Sequence, residues 1–390
     1  MEAVVVGGGI IGLACACSLA TRGVSVTVCE KSTLGAGSTE RSAGGIRTQF
    51  STPVNVELSK ASIDVWDDFE TEFGVDIAYR RPGYLFLART EATARAFREN
   101  VAMQNDLGVP SEFLSPVQAK AHCPALVTEP FVGATYSPTD GFADPHLALE
   151  GFRQAASEAG AEIRTKTPVT DVLTRQERSA GDEPNRVIGV ETPEESIQAD
   201  IVVNAAGPWA AQVAKMAGID LPITPKRRQV AVVEPERPVP ETIPLTIDLD
   251  TGSYFRPERD GNALVGGQFG GEDPDQQPDT YSERMTLEWA ATAVERAGEY
   301  ATFFGPDSRI RRGWAGLYAV TPDHHPIIEE TVPGLYTAAG FSGHGFQHAP
   351  ATGQIIAELA VDGESSLVDV SVLSHERFET GDLHEEQNVA

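Results

Sequence analysis

Glu2-Ala3-Val4-Val5-Val6-Gly7-Gly8-Gly9-Ile10-Ile11-Gly12 opens with an apolar run that stops at glycines, and the later run Ser25-Val26-Thr27-Val28-Cys29 closes on the acid Glu30. An all-apolar strand, a turn carrying Gly7, Gly9 and Gly12, a helix through about Ile11 to Ala20 and an acid eighteen residues after Gly12 match the G-x-G-x-x-G fingerprint of a dinucleotide-binding βαβ unit. The three glycines serve different ends, giving a tight turn, a bare backbone beside a pyrophosphate, and close contact between helix and strand. The pyrophosphate would rest on the helix N-terminus, and Glu30 would hydrogen-bond a ribose hydroxyl. The pattern by itself is weak; its place after a strand and before a helix, with the acid at the right distance, makes it informative. The bland reading, a glycine turn in an unrelated α/β sheet, leaves Glu30 unexplained.

Working outward, 390 residues exceed the size at which one core usually keeps growing, so two domains are expected. Ala3 to Ala20 is apolar enough to suggest a signal or membrane helix, but it lacks a basic leader and its glycines fall at the fingerprint positions. With no other long apolar run, a soluble, cytoplasmic protein is expected. The formal charge is −27, and only six of the thirty basic residues are lysine. Such a surface repels nucleic acid and anionic lipid, which argues against either as a partner. An acidic, lysine-poor composition resembles that of halophilic proteins, whose self-repulsion is screened by salt; an ordinary acidic enzyme is the alternative. Cys15, Cys17, Cys29 and Cys123 form no metal-binding spacing and read as reduced packing residues, so no metal is expected.

A small-residue stretch from Leu34 to Arg47 follows the fingerprint, then an amphipathic helix from about Thr52 to Phe73. Strands around Gly83 to Leu87 and another helix to about Leu107 lead to a helix from about His146 to Ala159. Strands flank a charged connection at Arg175 to Asn185. Ile201-Val202-Val203-Asn204-Ala205-Ala206-Gly207 and Gly334-Leu335-Tyr336-Thr337-Ala338-Ala339-Gly340 repeat the strand-to-glycine pattern. The spacing predicts three parallel strands of one sheet sharing a crevice, with a second domain assembled from the strand-rich stretches between them. Gly271 to Pro278 reads as an acidic loop, a helix is expected from about Pro350 to Ala360, and the polar residues beyond Phe378 read as disordered.

These pieces occur together in one family. The chain resembles the FAD-dependent amine and amino-acid oxidoreductases related to D-amino-acid oxidase, closest to monomeric sarcosine oxidase and the β subunits of sarcosine oxidase and proline dehydrogenase. The resemblance rests on Val4 to Glu30, Gly37 to Phe50, Val203 to Trp209, Ser253 to Pro257, Gly313 to Ile328 and Gly340 to Pro350. Most specific is Trp314-Ala315-Gly316-Leu317-Tyr318 with Thr321-Pro322-Asp323 and then Gly340-Phe341-Ser342-Gly343-His344-Gly345-Phe346.

The resemblance implies an α/β fold, α+β overall: a Rossmann-like FAD-binding domain (1–78, 140–215, 315–378), an antiparallel or mixed-sheet substrate domain (79–139, 216–314) and a tail from 379 to 390. It implies FAD contacts from Gly7, Gly9, Ile11, Gly12, Glu30 and Lys31 in the fingerprint, and from Ser38, Thr39, Ser42 and Gly44 in the next stretch. Val169, through its backbone, and Ala206, Gly207, Trp209 and Gly316 would follow, with Gly340, Ser342, Gly343, His344, Gly345, Phe346 and Gln347 completing the set. The last glycine-rich loop would point a helix dipole at the flavin's pyrimidine edge and stabilise its reduced, negative form.

For the substrate, the resemblance implies Arg47 as carboxylate ligand and Tyr254 and Tyr318 as facing side chains, with His344 and Gln347 alongside. Arg256 shares a strand face with Tyr254, and an arginine fork suits a carboxylate. Each has a structural alternative: a salt bridge for the arginines, core packing for the tyrosines, a hydrogen-bonded structural role for His344. Arg41 stands where some relatives attach FAD through histidine, and Gly316 where others use cysteine, so noncovalent FAD is expected. Leu264 stands where oxygen-using relatives carry a lysine, which points to a dehydrogenase. Gln347 replaces the lysine of sarcosine oxidase, so substrate preference is expected to differ.

The expected reaction is oxidation of a C–N bond in a small amino acid or secondary amine, such as sarcosine, proline or a D-amino acid. Hydride passes to FAD, and water hydrolyses the resulting imine. The electron acceptor is left open among a quinone, an electron-transfer protein and oxygen. The rivals are a nicotinamide-dependent dehydrogenase and a flavin-bearing electron-transfer subunit.

Overall fold

The computed structural model describes residues 1–175, 186–269 and 272–389. The polar connection expected at Arg175 to Asn185 falls, beyond Arg175, outside the described residues, as does the first residue of the acidic loop.

Val4, Val5 and Val6 cannot alternate between core and solvent, so they need cover on both faces, and a parallel sheet between helix layers supplies it. Glu2–Val6 pairs in parallel with Ser25–Cys29 on one side and Ile201–Asn204 on the other. The six-stranded sheet runs Ile327–Val332, Leu335–Ala339, Ile201–Asn204, Glu2–Val6, Ser25–Cys29, Glu162–Arg164. Only Ile327–Val332 is antiparallel to its neighbour. The three strand-to-glycine segments are therefore adjacent, and their glycine ends lie side by side.

The first helix, Ile10–Thr21, is nearly all buried because it is covered by the last long helix, Gly345–Asp362. Small residues permit the approach: a Cβ on Gly353 would lie 2.6 Å from the Ala14 backbone. That last helix begins at Gly345, five residues earlier than Pro350 suggested, and carries Pro350 inside it. Packing compensates for the hydrogen bond proline cannot make. Phe346 stacks on Trp66 at 5.2 Å, and the Trp66 indole donates to the Gln347 carbonyl at 2.9 Å. The helix expected from Thr52 to Phe73 is instead two, Pro53–Asp67 and Phe69–Phe73.

The second layer is an eight-stranded sheet in the order Arg309–Val320, Thr224–Glu234, Ala263–Gly267, Ser253–Pro257, Leu245–Asp248, Tyr84–Ala88, Gly133–Ser137, Glu112–Leu114. Its period-2 alternation sends Leu85, Leu87, Ala231, Val233, Phe255 and Val265 into a core beneath the helix Leu287–Tyr300. The intervening residues, including Tyr84, Val230 and Tyr254, face the glycine ends of the first sheet. The expected boundary between 314 and 315 falls inside the strand Arg309–Val320, which pairs along its length with Thr224–Glu234.

The polar C-terminal segment does not behave as its composition suggests. Glu386 and Asn388 are 1% and 4% exposed, and the Glu386 backbone donates to the Asp323 carbonyl at 3.0 Å. Within the tail expected to be disordered from 379 to 390, Glu386 to Asn388 pack where their hydrogen bonds are met by the segment Arg47–Asn55. No helix among the described residues is long and apolar enough to cross a membrane.

Candidate functional site

A cavity of about 650 Å³ lies between the two sheets, lined at one end by the fingerprint and at the other by the face carrying Tyr84 and Tyr254. At the fingerprint end, Gly7 has φ +111°, and a side chain there would strike the Ala205 carbonyl at 2.6 Å. A Cβ on Gly12 would sit 1.9 Å from the Gly7 carbonyl, so this glycine brings helix and strand together and does not line the cavity. Gly9 differs: a Cβ there would meet only Thr39 Oγ1, at 3.4 Å, and it borders the cavity. The helix Ile10–Thr21 begins with no side-chain cap and no acid in its first turn.

Glu30 is held by the backbone N–H groups of Gly8 and Ser32, each at 2.8 Å, with its carboxylate at the cavity wall. Beside it Lys31 lies 3.6 Å from the centre of the Trp209 ring, and both donate to Asp279, at 2.7 and 2.8 Å. Val169, Ala206 and Gly207 complete this end. A helix end with no cap from its own N-cap residue, a bare glycine and an acid along one cavity fit the adenosine and pyrophosphate of a dinucleotide.

Further in, Thr39 Oγ1 accepts from the Ile10 N–H at 3.1 Å and Ser38 Oγ donates to the Leu317 carbonyl at 2.6 Å. Thr39, Ser38, Ser42 and Gly316 all border the cavity. Gly44 is not among the residues that border it; its φ of +72° and a Cβ position 2.0 Å from the Ala143 carbonyl mark a close backbone crossing. The loop Gly340, Ser342, Gly343, His344, Gly345, Phe346 borders the cavity from the opposite wall. Gly343 packs on Tyr318, whose ring a Cβ would approach to 2.4 Å.

At the far end the Arg47 side chain is 5% exposed and lies 3.9 Å over the Phe50 ring. Its guanidinium donates to the carbonyls of Gln49 and Asn388 and to His344 Nε2, the last at 3.1 Å. All three partners are uncharged. Burial pushes the Arg47 pKa down, the nearby carboxylates of Glu386 and Asp140 act the other way, and arginine keeps its proton in proteins, so this is a buried cation beside a cavity with no carboxylate among its hydrogen-bond partners. Burial, with Arg47 second, also pushes the His344 pKa well below the ordinary value. Because Arg47 can only donate, Nε2 accepts and the His344 proton sits on Nδ1. Gln347 Oε1 accepts the Arg47 backbone N–H at 3.0 Å, and Gln347 borders the cavity beside it.

Tyr254 and Tyr318 border the cavity with Arg47, and burial raises both phenol pKa values, so both are neutral donors. Arg256 does not reach it. It donates to the Ala43 carbonyl at 3.1 Å and pairs with Glu258 at 3.0 Å, the arrangement of the structural salt bridge that was the alternative to a carboxylate ligand. Sequence reading missed Tyr84, Arg228, Leu245 and Ile247, which line the same end. Strand alternation with Tyr254 was the available signal. Asn388 also lines it, and nothing in a polar tail announces that.

Nucleotide-binding fingerprint, glycine-lined crevice and a roof of mostly antiparallel strands over a buried arginine define a two-layer dinucleotide-dependent oxidoreductase. The chain belongs to the FAD dependent oxidoreductase (DAO) family, whose model matches residues 2–359. It is 32% identical to FAD-dependent oxidoreductase domain-containing protein 1 of Xenopus laevis, over all of this chain and 84% of that protein. It is 29% identical to sarcosine oxidase subunit beta of an Arthrobacter species, over all of this chain and 94% of the other. The crystal structure of L-proline dehydrogenase from P. horikoshii superposes with a TM-score of 0.87 at 35% identity, covering 98% of this chain and 99% of that one. The cofactor is therefore FAD, and the residues around the cavity fit it.

Proposed function

We infer that the protein oxidises the C–N bond of a small carboxylate-bearing amino acid or secondary amine. The observation that carries this reading is Arg47: a buried guanidinium beside the cavity whose hydrogen-bond partners are all neutral suits an anion supplied by the ligand. The names of relatives and neighbours, sarcosine oxidase, dimethylglycine dehydrogenase and L-proline dehydrogenase, belong to this substrate class.

Bound FAD supplies the two-electron acceptor for the substrate's α C–H bond. The protein's own part is orientation. Arg47 anchors the carboxylate, Tyr254 and Tyr318 offer neutral hydroxyls, and Leu245 and Ile247 present apolar surface that keeps water from the α-carbon. The neutral His344 stiffens Arg47 and carries no charge to compete for the carboxylate. No side chain is assigned as a strong base, because an amine bound neutral needs none.

The flavin is held noncovalently, and the enzyme is a dehydrogenase. Leu264, which stands where oxygen-using relatives are expected to carry a lysine, pairs across the sheet with Arg256 and Val232 on the face that carries Tyr254, and its neutral side chain supports the dehydrogenase reading. Steady-state turnover with an artificial dye, using sarcosine, dimethylglycine, proline and D-amino acids, tests the activity. Dye reduction by at least one of them is expected, and none by any would count against the reading.

A further inference from the structure

The segment from Glu386 to Asn388 lies against the stretch Arg47–Asn55, and its attachment is built in detail. Glu386 Oε1 accepts from the Ser51 N–H at 2.8 Å, from Ser51 Oγ at 2.7 Å and from the Asn388 N–H at 3.1 Å. Glu386 Oε2 accepts from Thr52 Oγ1 at 2.8 Å and Asn55 Nδ2 at 3.1 Å. Thr52 is the N-cap of the helix Pro53–Asp67 and makes no side-chain cap of its own, so a carboxylate from a distant part of the chain sits at that helix end, where the dipole favours negative charge. The Gln387 N–H donates to Ser51 Oγ at 2.8 Å and Asn388 Nδ2 to the Gln49 carbonyl at 3.1 Å. Its last step is the contact between the Asn388 carbonyl and Arg47 Nη2.

We propose that Glu386 is a positioning residue for the substrate's carboxylate: it docks this strap, and the strap sets the Arg47 guanidinium and keeps water from it. The proposal rests on the reading of Arg47 as carboxylate anchor. Two carbonyls and His344 Nε2 hold three of the guanidinium's five N–H groups, which fixes its plane and leaves two for a ligand. Two of these restraints depend on Glu386. The Asn388 carbonyl is placed by the adjacent Glu386–Asn388 hydrogen bond, and the Gln49 carbonyl is shared between Arg47 and Asn388 Nδ2. With Asn388 at 4% exposure the strap also forms part of the cavity wall, so its loss would admit water to a charge pair whose strength depends on exclusion of water.

The test is calorimetric titration of the yellow protein with acetate, a carboxylate without an oxidisable amine, for the unsubstituted chain and for Glu386→Ala and Glu386→Gln. In the alanine variant acetate is expected to bind about tenfold more weakly, roughly the loss of one positioned charge-assisted contact. Glutamine is expected to restore most of it: its carbonyl can replace Oε1, while its amide can turn towards Asn55 Oδ1, which is buried without a partner. With an oxidisable carboxylate substrate the same defect should appear in KM more than in kcat, a split that general loss of stability would not produce. A chain ending at Gly381 removes the strap without creating a hole in the core and should match the alanine variant if that one folds poorly. Acetate binding that is unchanged or tighter in both overturns the proposal alone. If the unsubstituted protein binds no acetate, the carboxylate reading of Arg47 fails, and the role of Glu386 falls with it.

Discussion

Arg41 occupies the space that Gly316 leaves open: a Cβ on Gly316 would lie 2.8 Å from Arg41 Cβ. Arg41 also donates to the Ala36 and Gly37 carbonyls and pairs with Glu283 at 2.8 Å, so it is fixed rather than swinging through the cavity. Neither position carries a nucleophile that could bond to a flavin. Acid precipitation is therefore expected to release the yellow colour into the supernatant. Colour that stays with the pellet would refute noncovalent binding.

The glycines of the fingerprint should separate by substitution. Gly9→Val puts its side chain into the cavity with only Thr39 nearby, so the protein should fold and be colourless. Gly12→Val drives a side chain into the Gly7 carbonyl and should not yield soluble protein. A Gly9 variant with full flavin content would show that the pyrophosphate lies elsewhere.

Arg47→Lys keeps the charge but loses the planar fork and two of its fixing hydrogen bonds. Preference for a carboxylate-bearing amine over its carboxylate-free analogue, measured as a ratio of kcat/KM values, should shrink about tenfold or more. An unchanged ratio would remove Arg47 from substrate recognition.

Burial lowers the pKa of His348 from 6.5 to about 3, and that of His344 also falls far below its ordinary value. The unfolded chain takes up protons near pH 6.5 that the folded protein refuses, so stability should fall as pH drops from 6.5 towards 3 and be unaffected by these groups above that window. Each such histidine contributes a slope of about 1.4 kcal/mol per pH unit. Denaturant unfolding of the unsubstituted protein and His348→Gln between pH 7 and pH 5 checks this. The variant, which can still meet Ser59 Oγ, should show the shallower slope, and equal slopes would contradict the assignment.

Much of the FAD-binding half was legible because its signals are local. A strand, a glycine of fixed conformation and a helix start lie within a dozen residues, and strands buried on both faces read as unbroken apolar runs, as at Ile201–Asn204 and Leu335–Ala339. The substrate end was less legible because its partners are remote in sequence. Arg256 and Arg47 look alike in the chain, and only the fold shows that Glu258 neutralises one while the other meets neutral groups. Composition misjudged the tail for the same reason: Glu386 is polar, but five donors await it at residues 51, 52, 55 and 388.

Leu264 bears on the electron acceptor. A neutral side chain at that place should leave turnover fast with a dye or quinone and slow with oxygen alone. Rapid hydrogen peroxide production at air saturation would make the enzyme an oxidase.

The central claim is that this chain itself takes electrons from an amine. Its most direct test is anaerobic mixing of the purified yellow protein, with no other subunit present, with sarcosine, dimethylglycine, proline and D-amino acids in turn. At least one is expected to bleach the flavin, and Arg47→Lys to slow the bleaching. A flavin that none of them bleaches, yet dithionite reduces, would instead identify an electron-carrying subunit.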